Sequence, residues 1–284
     1  MSFEEIQFTA KFIDKVTNKE VKLSSILTKN SKTSDTILLC HGMFGNKNSG
    51  LNIHLLNGLK NQWSVLRFDF EGNGDSSGEW SYADYEREVR NITDIVEYSE
   101  KNYNIKIVAI IGHSKAGADV FITASRTNLI KNPNCCFISL GGRLTFGKPE
   151  KRFTKDELEK CKNEGEFLWE HNNKKWKITQ KAIDERKNMD PKKEVKNIDD
   201  NRKKRILQVH GRNDTSTPIE EAFVVEKEIP GAEIRWIENA NHFFKGVEED
   251  MVSIFIHLLN FLLFVLPLLL LLLFVLHFSL YQYP

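Results

Sequence analysis

The sequence predicts an α/β domain built on a mostly parallel central sheet with helices on both faces. Three observations carry that expectation. Short apolar runs of strand length alternate with longer segments of helical period. Ser114, Asp214 and His242, three residues of complementary chemistry, each fall just past the end of such a run, at the carboxyl edge where open parallel sheets place their sites. The chain of 284 residues is long enough to bury one large core.

The elements follow in order. Residues 6–12 and 21–27, joined by 14–18, read as an antiparallel hairpin feeding the sheet. Strands over 37–40, 65–68, 105–111 and 136–140 then alternate with helices near 52–60, 82–100 and 116–125. From Lys148 to Arg205 the pattern changes to a charged stretch with almost no apolar runs, in which basic residues outnumber acidic ones. Strands over 206–209 and 232–237 resume the alternation, and Met251, Ile254, Phe255, Leu258 and Leu259 recur at the spacing of an amphipathic closing helix.

The run ending at Ile111 passes through Gly112-His113-Ser114-Lys115-Ala116-Gly117 into a helix-compatible segment. A serine at such a sharp strand-to-helix turn exposes its hydroxyl, and the N–H of Lys115 points at any acyl oxygen bound there. Taken alone, the hexapeptide reads equally as a serine capping a helix. Its partners decide between the two. A hydroxyl attacks only when a base takes its proton and a third group orients that base. Asp214 follows the strand at 206–209 and His242 follows the strand at 232–237, in the order Ser, Asp, His. Met43, beside Gly42 after the strand at 37–40, is the natural second N–H donor for an oxyanion. The turn Gly72-x-Gly74-x-x-Ser77 lacks the last glycine of a dinucleotide fingerprint and the Lys-Ser/Thr of a phosphate loop, so it reads as a tight structural loop.

His41-Gly42, Asp69-x-x-Gly72-x-Gly74-x-Ser76, Gly112-x-Ser114, His210-Gly211-x-x-Asp214 and Asn241-His242 together resemble the α/β-hydrolase superfamily over about residues 6–259. Within it, Arg67-Phe68-Asp69-Phe70 and Gly112-His113-Ser114-Lys115 look most like the serine aminopeptidase S33-like or cinnamoyl-esterase-like group. Ala116 departs from the usual pattern, which has a glycine there. The resemblance implies a hydrolase domain over 1–260 with a small helical cap inserted at about 148–205, above the serine. It implies Ser114, Asp214 and His242 as the catalytic set and Met43 and Lys115 as the oxyanion hole, while Phe44, Phe167 and Trp169 read as substrate-binding residues, the two in the insertion equally as aromatics that only pin the cap onto the domain. The implied reaction is cleavage of a small-molecule carboxylic ester without a cofactor or metal. A thioesterase, an acylglycerol lipase or a peptidase would use the same machinery. A non-catalytic module of this fold, binding a small ligand or a protein, is the alternative from another class.

Lys plus Arg is 40 and Asp plus Glu is 39, a net charge of +1, which gives no argument for nucleic-acid binding. The four cysteines have no C-x-x-C spacing and read as buried free thiols of a reducing compartment. His54, His171 and His257 stand isolated and read as structural or solvent-facing. The acidic start of the chain, with no apolar stretch, does not read as a secretory signal. Residues 261–284 begin with 16 apolar residues without a break, to Leu276, in which Pro267 would kink a helix but is tolerated in membranes. As a helix to Leu280 it would span about 30 Å, the thickness of a bilayer core. The expectation is an apolar C-terminal helix that tail-anchors a cytosol-facing domain in a membrane. An extra helix packed on the domain, or a segment foreign to the natural product, are the competing readings.

Overall fold

Buried parallel strands read as continuous apolar runs, and the computed structural model, which describes residues 3–126 and 128–261, assembles these runs into one sheet. Two antiparallel strands come first, β1 (Phe3–Ile13) and β2 (Glu20–Asn30). Then follow β3 (Asp35–Cys40), α1 (Gly50–Leu59), β4 (Ser64–Phe68), α2 (Tyr85–Tyr103), β5 (Lys106–His113), α3 (Lys115–Ser125) and β6 (Cys136–Leu140). The inserted region holds α4 (Lys155–Glu164), β7 (Glu166–His171), β8 (Lys174–Thr179), α5 (Gln180–Asn188), α6 (Pro191–Val195) and α7 (Asp200–Lys203). The fold closes with β9 (Ile206–Gly211), α8 (Glu220–Glu228), β10 (Glu233–Ile237) and α9 (Glu248–Asn260).

The sheet order is β1-β2-β4-β3-β5-β6-β9-β10. All pairings from β4 to β10 are parallel, and β1–β2 and β2–β4 are antiparallel. Each face is covered. On one, Leu55 and Leu59 of α1 meet Met251, Phe255 and Leu259 of α9 over Ile37, Val65 and Ile111. On the other, Ile92 and Ile95 of α2 and Val120 and Phe121 of α3 cover Leu38, Leu66 and Ile110. Burial of a side chain such as Phe121 or Phe255 is worth roughly 1.5–3 kcal/mol. Helix α3 is buried along its whole length. The four cysteines are free and buried.

The insertion differs from the helical cap expected at 148–205. Between α4 and α5 it forms a β-hairpin in which Phe167 faces Ile178 and Trp169 faces Trp176. The reason is local. Phe167, Trp169 and His171 alternate with charged or exposed residues, which is a strand period. Asn172 and Asn173 turn at φ 53° and 56°, and a two-residue hairpin loop of this kind needs positive φ at both positions, which asparagine tolerates. The preceding helix α4 is held at its start by the reciprocal Thr154–Glu157 capping box. Helix α5 docks through Arg186, which is buried 4.6 Å from the Phe146 ring centre and donates to the Tyr85 hydroxyl.

Helix α9 ends at Asn260. The expected apolar tail beyond Phe261 lies outside the described residues. Among the described residues no helix is long and apolar enough to cross a membrane.

Candidate active site

Ser114 sits between β5 and α3 at φ 57°, ψ −112°. A side chain in this region costs about 1–3 kcal/mol unless its surroundings hold it. They do. Ser114 N–H donates to the Leu140 carbonyl of neighbouring β6 at 2.8 Å. A Cβ on Gly112 would lie 2.2 Å from the Ala116 carbonyl oxygen, so strand and helix meet here with no room for a side chain. A Cβ on Gly117 would meet the Ser139 hydroxyl at 2.4 Å. Ala116 itself is fully buried among Val120, Phe121 and their neighbours, so its extra methyl group lies in the core rather than in the turn.

The Ser114 hydroxyl lies 2.8 Å from His242 Nε2, and His242 Nδ1 lies 2.7 Å from Asp214 Oδ2. A carboxylate accepts, so Nδ1 carries the proton and Nε2 is left to take the serine proton. The other oxygen of Asp214 accepts from the N–H groups of Ser216 and Thr217, both at 2.8 Å. Burial alone would raise the Asp214 carboxyl, but His242 and these two N–H groups outweigh it and hold its pKa below the ordinary value. The structure thus brings together in one line the three residues that the sequence spreads over β5, β9 and β10.

Three further histidines surround this line, in roles that no sequence motif marks. His113 Nε2 donates to the His242 carbonyl at 2.8 Å. Burial, reinforced by His242, pushes its pKa down to about 4, so it stays neutral. His210 Nε2 donates to the Thr217 carbonyl at 3.0 Å, next to the N–H that holds Asp214. His41 donates from Nδ1 to the Gly42 carbonyl and accepts at Nε2 from Phe70 N–H. Burial lowers the pKa of both His210 and His41. Each ring works as a neutral tie between loops.

The loop after β3 presses against the serine turn. A Cβ on Gly42 would lie 3.0 Å from the His113 carbonyl and 3.1 Å from Ser114 Cβ. Among the described residues neither Met43 N–H nor Lys115 N–H has a hydrogen-bond partner. The loop is tied down through Lys47, whose ammonium meets Asp69 and Asp75 at 2.6 Å each. Gly74 is required by the same knot, because a Cβ there would sit 2.2 Å from the Asp69 carboxylate. The Lys115 side chain points away from the opening into the domain, 2.6 Å from Glu88 and 5.0 Å from the Tyr85 ring centre. Burial pushes the neighbouring Asp119 carboxyl far up and Glu88 adds to it, while Lys115 holds Glu88 down against its own burial. Asp119 is therefore the protonated partner and Glu88 the charged one.

Ser114 and His242 open into a cavity of about 900 Å³. Met43, Phe44 and Trp169 line it. Phe167 does not. It is 4 % exposed and packs against Phe153 at 5.3 Å between ring centres, two residues deeper along the hairpin row than Trp169. His171 takes the place expected of Phe167, stacked on Trp169 at 4.6 Å. Phe44 joins the two parts of the wall, 4.4 Å from Trp176 and 5.2 Å from Trp80. Arg143, Arg152 and Phe243 also line the opening, and no motif marks them in the sequence.

Residues 35–142 match the family described as alpha/beta hydrolase fold. No curated protein matches the chain. Among solved structures, Est1E from Butyrivibrio proteoclasticus with ferulic acid bound is similar at 20% identity and TM-score 0.64, over 82% of this chain and 92% of that one. The alpha/beta hydrolase GrgF from Penicillium sp. sh18 is similar at 16% identity and TM-score 0.71, over 92% and 98%. Alpha/beta hydrolase domain-containing protein 10 from mouse gives 14% identity and TM-score 0.63, over 89% and 98%. At these identities the likeness is one of fold.

Proposed function

We propose that this chain, which has the α/β-hydrolase fold and matches that fold's family model over residues 35–142, is a serine hydrolase that cleaves a carboxylic ester through an acyl-enzyme. The observation that carries the reading is the continuous hydrogen-bonded line from Ser114 through His242 to Asp214. In this mechanism Ser114 Oγ attacks the acyl carbon while His242 Nε2 takes its proton. The Met43 and Lys115 N–H groups stabilise the oxyanion, and Asp214 stabilises the imidazolium and fixes its tautomer. His242 returns the proton to the leaving oxygen as the C–O bond breaks. Water then attacks the acyl-enzyme, with His242 as base, and releases the acid and free Ser114.

A fluorophosphonate probe tests this directly. Wild type should be labelled and should hydrolyse short acyl esters. Ser114→Ala, shown folded by its thermal transition, should do neither. Folded wild type that takes no label would instead favour a non-catalytic binding module.

A further inference from the structure

The cavity that holds Ser114 is charged on one side of the balance. Arg143, Lys151, Arg152 and Lys245 line it, against one carboxylate, Glu248. Glu248 already faces His54 at 3.8 Å. Among the described residues none of the four cations lies within ion-pair distance of a carboxylate. Elsewhere in the chain cations sit on carboxylates: Arg126 on Glu86 and Lys47 on Asp69 and Asp75. With a net charge of only +1, this concentration of cations without a direct salt bridge at one opening is a local feature.

The two arginines are placed rather than loose. Arg152 donates to the Met43 sulfur at 3.4 Å and lies 5.7 Å from the Trp169 ring centre and 5.8 Å from that of Tyr82. It is thereby fixed beside the candidate oxyanion loop. Arg143 donates through Nη2 to the Ser216 carbonyl and, at 3.1 Å, to the Thr217 hydroxyl, on the loop that holds Asp214. Its Nε and Nη1 make no hydrogen bond among the described residues. Guanidinium groups match carboxylate and phosphate oxygens in paired hydrogen bonds. A partly enclosed cavity with low-dielectric walls concentrates their field. The aromatic wall of Phe44, Trp169 and His171 runs beside them.

Resting on the reading of Ser114 as nucleophile, we infer that the substrate is an anionic ester: an apolar or aromatic body that carries a carboxylate or phosphate group, held by Arg152 and Arg143 while Ser114 cleaves its ester bond. The test compares three butyrate esters of one shape, those of 4-hydroxybenzoate, of its methyl ester and of 4-hydroxyphenyl phosphate. For each, kcat/KM is measured for wild type and for Arg143→Gln/Arg152→Gln. Dividing each anionic ester by the neutral one, and then variant by wild type, cancels intrinsic reactivity. The expected result is a fall of about tenfold or more in the anionic-to-neutral ratio, carried mainly by KM, with a wild-type ratio that shrinks as salt is raised. Preference for the phosphate over the carboxylate assigns the anion, and either preference supports the inference. An unchanged, salt-insensitive ratio in a folded variant that still cleaves the neutral ester overturns the inference and leaves the hydrolase reading intact. If no ester is cleaved and Ser114 takes no fluorophosphonate, the hydrolase reading fails and the inference falls with it.

Discussion

Lys115 and Glu88 form an ion pair of 2.6 Å, both side chains buried, one residue beyond Ser114. Removing one charge of such a pair strands the other in a low-dielectric interior. Lys115→Met should therefore cost about 3–5 kcal/mol in urea unfolding, and adding Glu88→Leu should recover most of it. A single variant as stable as the parent would mean that the pair contributes nothing to the serine turn.

Asp214 accepts from His242 Nδ1–H. Asparagine at 214 would present an N–H to the same nitrogen and select the tautomer that cannot take the serine proton. Asp214→Asn should keep the fold and lower kcat by about ten-thousandfold on short acyl esters. Ser114→Ala should lower it by on the order of a millionfold. Near-normal turnover by either folded variant would refute the proposed mechanism.

Ala116 is buried, and its carbonyl lies against Gly112. Ala116→Gly should be tolerated. Ala116→Leu should overpack the helix start, cost roughly 1–3 kcal/mol and displace Ser114, with loss of activity. Thermal melts and ester turnover on the same preparations read both effects. A leucine variant with full stability and activity would contradict the packing described here.

His113 stays neutral in the folded chain to about pH 4, whereas an unfolded histidine gains its proton near pH 6.5. Between these values the unfolded state binds more protons. Stability is thus complete above about pH 6.5, falls as pH drops toward 4 and levels below it, by up to about 3 kcal/mol from this one group. His41 and His210 shift in the same direction and add to the slope. His113→Gln should flatten the loss of urea stability between pH 7 and pH 4. A slope equal to that of wild type would show that His113 is not buried and neutral.

The central strands and the serine turn were legible because their signals are local. The run from Ile107 to Ile111 is apolar throughout, and Gly112 is the residue that a close strand–helix approach requires. The cap hairpin was hidden because Glu166, Leu168 and Glu170 alternate with Phe167, Trp169 and His171 inside a region read by its charge. The ties made by His113, His210 and the Lys115–Glu88 pair were not legible, because each joins residues on different elements whose meeting only the tertiary packing decides. Phe167 and Trp169 share a face of one strand, and the depth of that face under Phe153 is likewise a tertiary property.

Ser114 and His242 stand 128 positions apart, each beyond the end of a strand, β5 and β10, that β6 and β9 separate in the sheet. Synthesis proceeds from the amino end at roughly 5–20 residues per second. The serine turn therefore leaves the ribosome several seconds before its base exists. On the proposed mechanism, a nascent or truncated chain that stops short of β10 carries an unactivated alcohol and would not attack an ester. Under the proposed mechanism, hydrolytic power would arrive only after the last strand, so completion of the sheet would act as a temporal safeguard on the reactivity of the chain.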